Sequence, residues 1–371
     1  MTHILLDHRH RTRKVRIGDV VIGGEELPVV QSMTNTDTRN AGATLEQIHH
    51  AAAAGARIMR VAVPDTEAVE ALPSITEDSP VPVVADIHFD YRLAVGSITA
   101  GVAKLRINPG NIGGPERLRT VGHAAADHGV PIRVGVNAGS LEKGLLNKYG
   151  RPCAEALCES ALNHAEQLEA LGFSDIVLSL KGSDVPMTVA AYRRVAELCD
   201  YPLHIGVTEA GTRWTGAIRS SVGLGILLAL GIGDTLRVSL AADPVDEVTA
   251  AYRILESLGM GRHGPTVIAC PTCGRTEIDV IGLAEAVESR LRFRSEPFTV
   301  AVMGCAVNGP GEAAEADLGI AGGKGDALLF RKGRIVRKVD GSEILEALMD
   351  LYEEVAGDMP DALETGESGS E

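Results

Sequence analysis

The chain has 371 residues, 45% of them apolar and 23% charged, the composition of an ordinary soluble globular protein. Its 50 acids against 35 bases leave a net charge of −15, and aromatics make up only 3%. That balance excludes a basic nucleic-acid surface and a base-stacking platform, and no apolar run reaches the ~18 residues of a membrane span.

The opening stretch, MTHILLDHRHRTRKVRIG, has a three-residue apolar patch and no secretory signal. It is expected to be a flexible basic arm whose His3, His8 and His10 need not bind metal. Short β-rich runs then follow at 28–32, 56–62, 82–87, 103–107, 131–136, 174–180, 202–207 and 234–240. Apolar-periodic helical segments lie between and after them, at 44–54, 90–100, 115–128, 154–171, 186–199, 217–230 and 245–258. Eight strands alternating with helices point to a TIM (β/α)8 barrel over residues 1–260. An open doubly wound sheet would share the alternation, but no GxGxxG turn supports a dinucleotide site. His49 and His50 belong to a surface helix and are expected to be solvated.

The predicted strands finish in polar side chains. In order these are Ser32 and Thr34; Arg60; Asp86 and His88; Arg106 and Asn108; Arg133 and Asn137; Ser179 and Lys181; Thr208 and Glu209; Arg237 and Ser239. In a barrel all C-terminal strand ends meet at one mouth, where the chemistry sits. Each alone could be a loop residue or a helix N-cap. Several arginines and a lysine inside short apolar strands of an acidic protein call for a bound anion, because a buried cation without a partner is costly.

The Gly/Pro-rich segment 259–265 (GMGRHGP) marks a domain joint. Beyond it a strand at 266–269, a helix near 280–292, strands at 298–303 and 317–320, a hairpin at 327–338 turning at Lys332-Gly333, and a helix over 342–355 make a small α+β unit. An acidic tail, 356–371, is expected to be disordered. Six cysteines are too few for a disulfide scaffold, so a reducing cytoplasm is expected. Cys153, Cys158 and Cys199 fall on barrel helices and read as core packing. Cys270 and Cys273 form CPTC directly after a strand, and Cys305 follows the next strand in MGCAVNGPGE. Three thiols from two strand ends suit a [4Fe–4S] cluster with one non-thiolate ligand, for which Glu312 is the candidate. Spacing alone leaves zinc and a disulfide open.

The runs VVQSMTNTDT, LRINPGN, ACPTCGR and MGCAVNGPGEA resemble the 4-hydroxy-3-methylbut-2-enyl diphosphate synthase family, from about residue 10 to residue 355 and in its shorter bacterial form. The resemblance implies a TIM barrel followed by a sulfite-reductase-like domain over 266–355 that holds one [4Fe–4S] cluster through Cys270, Cys273, Cys305 and Glu312. It implies a cyclic diphosphate substrate, 2-C-methyl-D-erythritol 2,4-cyclodiphosphate, reductively opened with loss of water. Arg60, Arg106, Arg133 and Lys181 would clamp the diphosphate, with Asn137, His204, Thr208 and Ser239 nearby. Glu209 would be the proton donor, and Asp86 and His88 would orient or relay. Flavodoxin or ferredoxin would supply electrons, and the protein would be a head-to-tail homodimer whose site is shared between subunits. Two competing readings remain at this point: a phosphate-binding barrel with a structural zinc unit, and a pterin-binding methyl-transfer barrel.

Overall fold

A computed structural model describes residues 9–24, 26–108, 111–305, 311 and 313–357. Its first regular element is an antiparallel hairpin, β1 (Thr12–Ile17) and β2 (Val20–Gly24), closed by a two-residue turn at Gly18 and Asp19. The arm is therefore ordered from residue 9 onward rather than flexible. Arg9 donates through Nη2 to Gly233 O at 3.1 Å and pairs with buried Asp234 at 3.4 Å, and Arg13 pairs with Asp200. His3 and His8 lie outside the described residues. Val15 and Ile17 of β1, and Val20 and Ile22 of β2, are alternate residues of their strands, and all four are buried against Ile58, Val84 and Val177. The hairpin is an apolar floor under the barrel.

Eight parallel strands follow: β3 (Val29–Met33), β4 (Ile58–Ala62), β5 (Val83–Ile87), β6 (Lys104–Ile107), β7 (Ile132–Asn137), β8 (Ile176–Lys181), β9 (His204–Ile205) and β10 (Thr235–Leu236). They neighbour one another in chain order except at β10, which pairs with both β9 and β3. Helices α1 (Ala41–Ala53), α2 (Thr66–Asp78), α3 (Tyr91–Thr99), α4 (Pro115–His128), α5 (Lys143–Tyr149), α6 (Ala154–Glu169), α7 (Val185–Ala196), α8 (Arg213–Ala229) and α9 (Pro244–Ser257) lie in the connections. Asn40, Asp65, Asp90, Asp184 and Asp243 accept a backbone N–H at the starts of α1, α2, α3, α7 and α9. The N-cap role thus falls to Asn and Asp residues of the loops, and the polar residues at the strand ends stay available for other partners.

The β9 and β10 strands are shorter than the pattern suggested, and β8 meets β9 only through the Leu178–Leu203 bridge. The cause is visible at that seam. Tyr192 of α7 is fully buried and inserts its hydroxyl there, donating to His204 O at 2.6 Å and accepting from Leu180 N at 3.0 Å. A side chain takes the place of ladder bonds.

Alternation sorts the strand residues. Met59, Val61, Ala85, Leu105, Ile107, Val134, Leu178 and Ile205 belong to the core shared with the helices, while their alternate neighbours face the lumen. Cys158 is buried in that core, whereas Cys153 and Cys199 are half-exposed, less buried than expected.

The chain divides into two units after Arg262. The second carries one sheet in the order β11 (Thr266–Ala269), β12 (Thr299–Met303), β13 (Leu318–Gly322), β14 (Asp326–Arg331), β15 (Arg334–Asp340). The first three strands are parallel and the last two pairings antiparallel. The β14–β15 turn is Lys332-Gly333, both at positive φ (48° and 72°), which matches the twist of a tight hairpin. Helices α10 (Val280–Leu291) and α11 (Ile344–Gly357) cover one face through Val287, Leu291, Leu348 and Tyr352. Helix α11 takes in residues 356 and 357, the first two positions of the expected tail; the remainder lies outside the described residues.

Candidate active site and thiol set

The lumen above the apolar floor is polar and cationic. Arg60 (β4), Lys104 and Arg106 (β6), Arg133 (β7) and Lys181 (β8) are all buried. Among the described residues, one carboxylate, Asp86 of β5, pairs with this group. Arg106 Nη1 donates to Asp86 Oδ1 at 3.0 Å, Arg60 Nε lies 3.7 Å from Asp86 Oδ2, and His88 Nε2 lies 3.5 Å from it. Burial would raise the Asp86 carboxyl, but Arg60, His88 and Arg106 hold it well below the usual carboxylate range. Burial pushes Arg60 down to about 10; Asp86 opposes this, and Arg237 and Arg106 add to it.

Arg133 is the outlier. It is 1% exposed, and among the described residues neither Nε nor Nη1 has a hydrogen-bond partner. Burial, then Arg60 and Arg106, press against its charge. Lys181 is little better placed. Its Nζ meets His204 Nε2 at 3.1 Å, and His204 Nδ1 is held by Thr235 Oγ1 at 2.8 Å. Burial and the surrounding cations push both Lys181 and His204 well below their ordinary ranges. Two glycines make the space. A Cβ at Gly135 would sit 2.7 Å from Arg106 Nε, and one at Gly206 would sit 2.8 Å from Lys181 Nζ.

The remaining expected residues ring the mouth. Asn137 Oδ1 accepts from Arg106 Nη2 at 3.2 Å in the orientation that satisfies both amide atoms. Asn108 donates to Ser140 Oγ at 2.9 Å, fixing the loop after β7. Thr208 and Ser239 are half-buried beyond β9 and β10, and His88 is exposed at the rim. Glu209 is exposed and held at φ 54°, in the left-handed region that side chains avoid. Arg237 is already neutralised, donating from Nε and Nη2 to buried Glu247 of α9 at 3.0 and 2.9 Å. Ser32 points outward to the same Glu247 at 2.7 Å and so leaves the lumen.

Three participants escaped the sequence reading. Met33 Sδ accepts from Arg60 at 2.8 and 3.0 Å, Glu247 neutralises Arg237 from outside the barrel, and Lys104 lies deep in the lumen. Only Lys104 had a signal, since Lys104, Arg106 and Asn108 alternate on one face of KLRIN.

In the second unit Cys270 follows β11 and Cys305 lies just beyond β12, on paired parallel strands. Gly304 N donates to Cys270 Sγ at 3.2 Å, and Glu277 N to Gly304 O at 2.9 Å, so the CPTC loop is tied to the residue before Cys305. The Cys273 thiol is exposed, and the Arg275 backbone N–H draws it below its ordinary range. Among the described residues no three His, Cys, Asp or Glu side chains are grouped to hold a metal ion, and Glu312 lies outside those residues.

The family model described as "GcpE TIM-barrel domain" matches residues 12–252, and that of the "GcpE protein C-terminal domain" matches 266–354. The chain belongs to the GcpE family. Curated relatives named 4-hydroxy-3-methylbut-2-en-1-yl diphosphate synthase (flavodoxin) include that of Geobacter sulfurreducens, 59% identical over 93% of this chain and 98% of the relative. Those of Maridesulfovibrio salexigens and Clostridium acetobutylicum are 58% and 55% identical, over 91% and 92% of this chain and 94% and 98% of theirs. Among solved structures, the dihydropteroate synthase of Yersinia pestis matches at TM-score 0.49 and 15% identity, over 66% of this chain and 97% of that one. No helix among the described residues is long and apolar enough to cross a membrane.

Proposed function

We infer that this GcpE-family chain is a 4-hydroxy-3-methylbut-2-en-1-yl diphosphate synthase, an oxidoreductase that opens 2-C-methyl-D-erythritol 2,4-cyclodiphosphate. One carbon–oxygen bond to the diphosphate breaks, one hydroxyl leaves as water, and two electrons enter. The observation that carries the reading is Arg133: among the described residues, a buried guanidinium with no carboxylate paired to it, in a lumen where Arg60, Lys104, Arg106 and Lys181 are also buried and Asp86 is the carboxylate that pairs with the group. A compact dianion supplies what that lumen lacks, through charge-assisted and often bidentate bonds.

The chain's own residues divide the work. Arg133, Lys181 and Arg60 take the phosphate oxygens, and Arg106, fixed by Asp86 and Asn137, presents its free Nε to them. Thr208, Ser239 and His204 complete the cradle, and His88 stands at its rim. Glu209 carries the proton that the departing hydroxyl needs; its strained backbone is the kind of outlier that a functional site retains.

A [4Fe–4S] cluster fits the donor set of the second unit. Cys270, Cys273 and Cys305 would hold it with Glu312 as the fourth ligand, and the N–H bond from Gly304 already treats the Cys270 sulfur as an acceptor. When bound, such a cluster supplies single electrons and a Lewis-acidic iron. Flavodoxin, named in the relatives, is the donor we assign, with ferredoxin as the alternative. A head-to-tail homodimer would bring the two residue sets together between subunits, and a cytoplasmic location suits the free thiols.

The test is anaerobic turnover. Protein carrying about four irons and four sulfides per chain is expected to convert the cyclic diphosphate with reduced flavodoxin. A chain that binds one zinc and stays colourless after iron–sulfide reconstitution would overturn the reading.

A further inference from the structure

The floor and the clamp enclose a layer that the diphosphate reading does not use. Lys104 projects from β6 into it, fully buried. Among the described residues its one hydrogen-bond partner is Gln31 Oε1 of β3, at 3.2 Å, and no carboxylate lies within ion-pair distance. Gln31 Nε2 has no partner, so the amide has turned its oxygen to the lysine and left its own donor unmet. The titratable side chains of the lumen near Lys104 are Arg60, Asp86, Arg106, Arg133, Lys181 and His204, with Arg237 just beyond β10. The charged groups that act on Lys104 directly are two cations, Arg133 and Arg60. The nearby Asp86 is committed to Arg106, Arg60 and His88.

An ammonium in that position is desolvated and repelled, and burial followed by Arg133 and Arg60 pushes it well below the lysine range. The arrival of two phosphate charges beside Arg133 and Arg60 would offset the repulsion that those two cations exert on Lys104. Each phosphorus of a cyclic diphosphate bears one strongly acidic hydroxyl, so the ligand itself brings no titrating proton near neutrality.

We propose that Lys104 is a positioning residue that takes up one proton from solvent as the cyclic diphosphate binds, so that substrate entry charges the layer beneath the clamp. The inference rests on the diphosphate reading of the lumen. It deepens that reading by making affinity depend on pH through a group that does not touch the reacting carbon. The neighbouring Lys181–His204 pair could also accept a proton, and it is separated from Lys104 by substitution.

The experiment is calorimetric titration of the full chain with the cyclic diphosphate, without electron donor, at about pH 8 in buffers of different ionisation enthalpy. Expected for the unaltered protein is an enthalpy that rises with that of the buffer, with a slope near one proton taken up. Affinity is expected to fall by up to ~10-fold per pH unit above that, since uptake is opposed as protons become scarce. Lys104→Met and Lys104→Gln are both expected to lose the slope and the pH dependence while still binding several-fold more weakly, with an unchanged circular dichroism spectrum. A buffer-independent enthalpy in the unaltered protein, or a slope that survives both substitutions, would overturn the proposal. Absence of any binding would overturn the diphosphate reading, and this inference with it.

Discussion

Arg133 is held where it is least stable without a ligand. Replacing buried ionic groups by apolar residues of similar volume is often neutral or stabilising, by ~1–4 kcal/mol for ion pairs, and a guanidinium without a counter-ion has less to lose. Arg133→Met is therefore expected to raise the melting temperature of the free protein while weakening cyclic diphosphate binding by ~100-fold or more, the worth of one or two charge-assisted bonds. Calorimetry and titration on one sample check both signs. Asp86 works in the opposite sense. Its carboxyl is held below the usual range, so its contribution to stability is complete above about pH 4 and fades as pH falls through the folded value. Asp86→Asn is expected to flatten the acid limb of the stability profile and to loosen Arg60 and Arg106, raising KM. Glu209→Gln is expected to lower kcat by ~100-fold or more with little change in KM or iron content. Unchanged kcat would remove Glu209 from the chemistry.

Among the elements, the β1–β2 hairpin was hidden in the sequence. Arg11, Arg13, Lys14 and Arg16 interleave with Val15 and Ile17, and so dense a run of bases reads as a solvated arm. The alternation that buries Val15, Ile17, Val20 and Ile22 is nevertheless there. Ile22→Ala should cost ~2–5 kcal/mol, as large-to-small changes at fully buried sites do, and chemical denaturation measures it. The polar ends of the barrel strands were legible because β-alternation forces every second residue into one lumen. Their partners were not: Glu247 of α9 neutralises Arg237 only 10 residues away, but from a helix rather than a strand, and it reaches Ser32 across 215 residues, a contact that no local pattern announces. The placement of the CPTC loop directly after a strand was legible from the sequence, and β11 ends at Ala269 just before it. Cys270→Ser or Cys305→Ser is expected to abolish iron content and visible absorbance, whereas Cys158→Ser, in the barrel core, should leave both intact.

At the scale of the molecule, the two units have separate apolar cores, one built on the barrel and one on the five-stranded sheet. Separate cores favour separate unfolding steps. Scanning calorimetry is expected to resolve two transitions, and the cyclic diphosphate should raise only the one that belongs to the barrel, by mass action on the folded site. The eight-fold alternation and the Gly/Pro joint make this division legible in the amino-acid sequence itself. The strong local positive field is legible there only in part, because the charge of −15 averages it away.

The hairpin floor has a kinetic corollary. With Ile17, Ile22 and Val84 sealing one end, the lumen is a cul-de-sac: whatever enters the mouth must leave by it. The linear diphosphate product therefore vacates the same cations before the next ring can arrive. In steady-state kinetics it should behave as a competitive inhibitor against the cyclic diphosphate, and turnover should be paced by its departure wherever the reduced donor is plentiful.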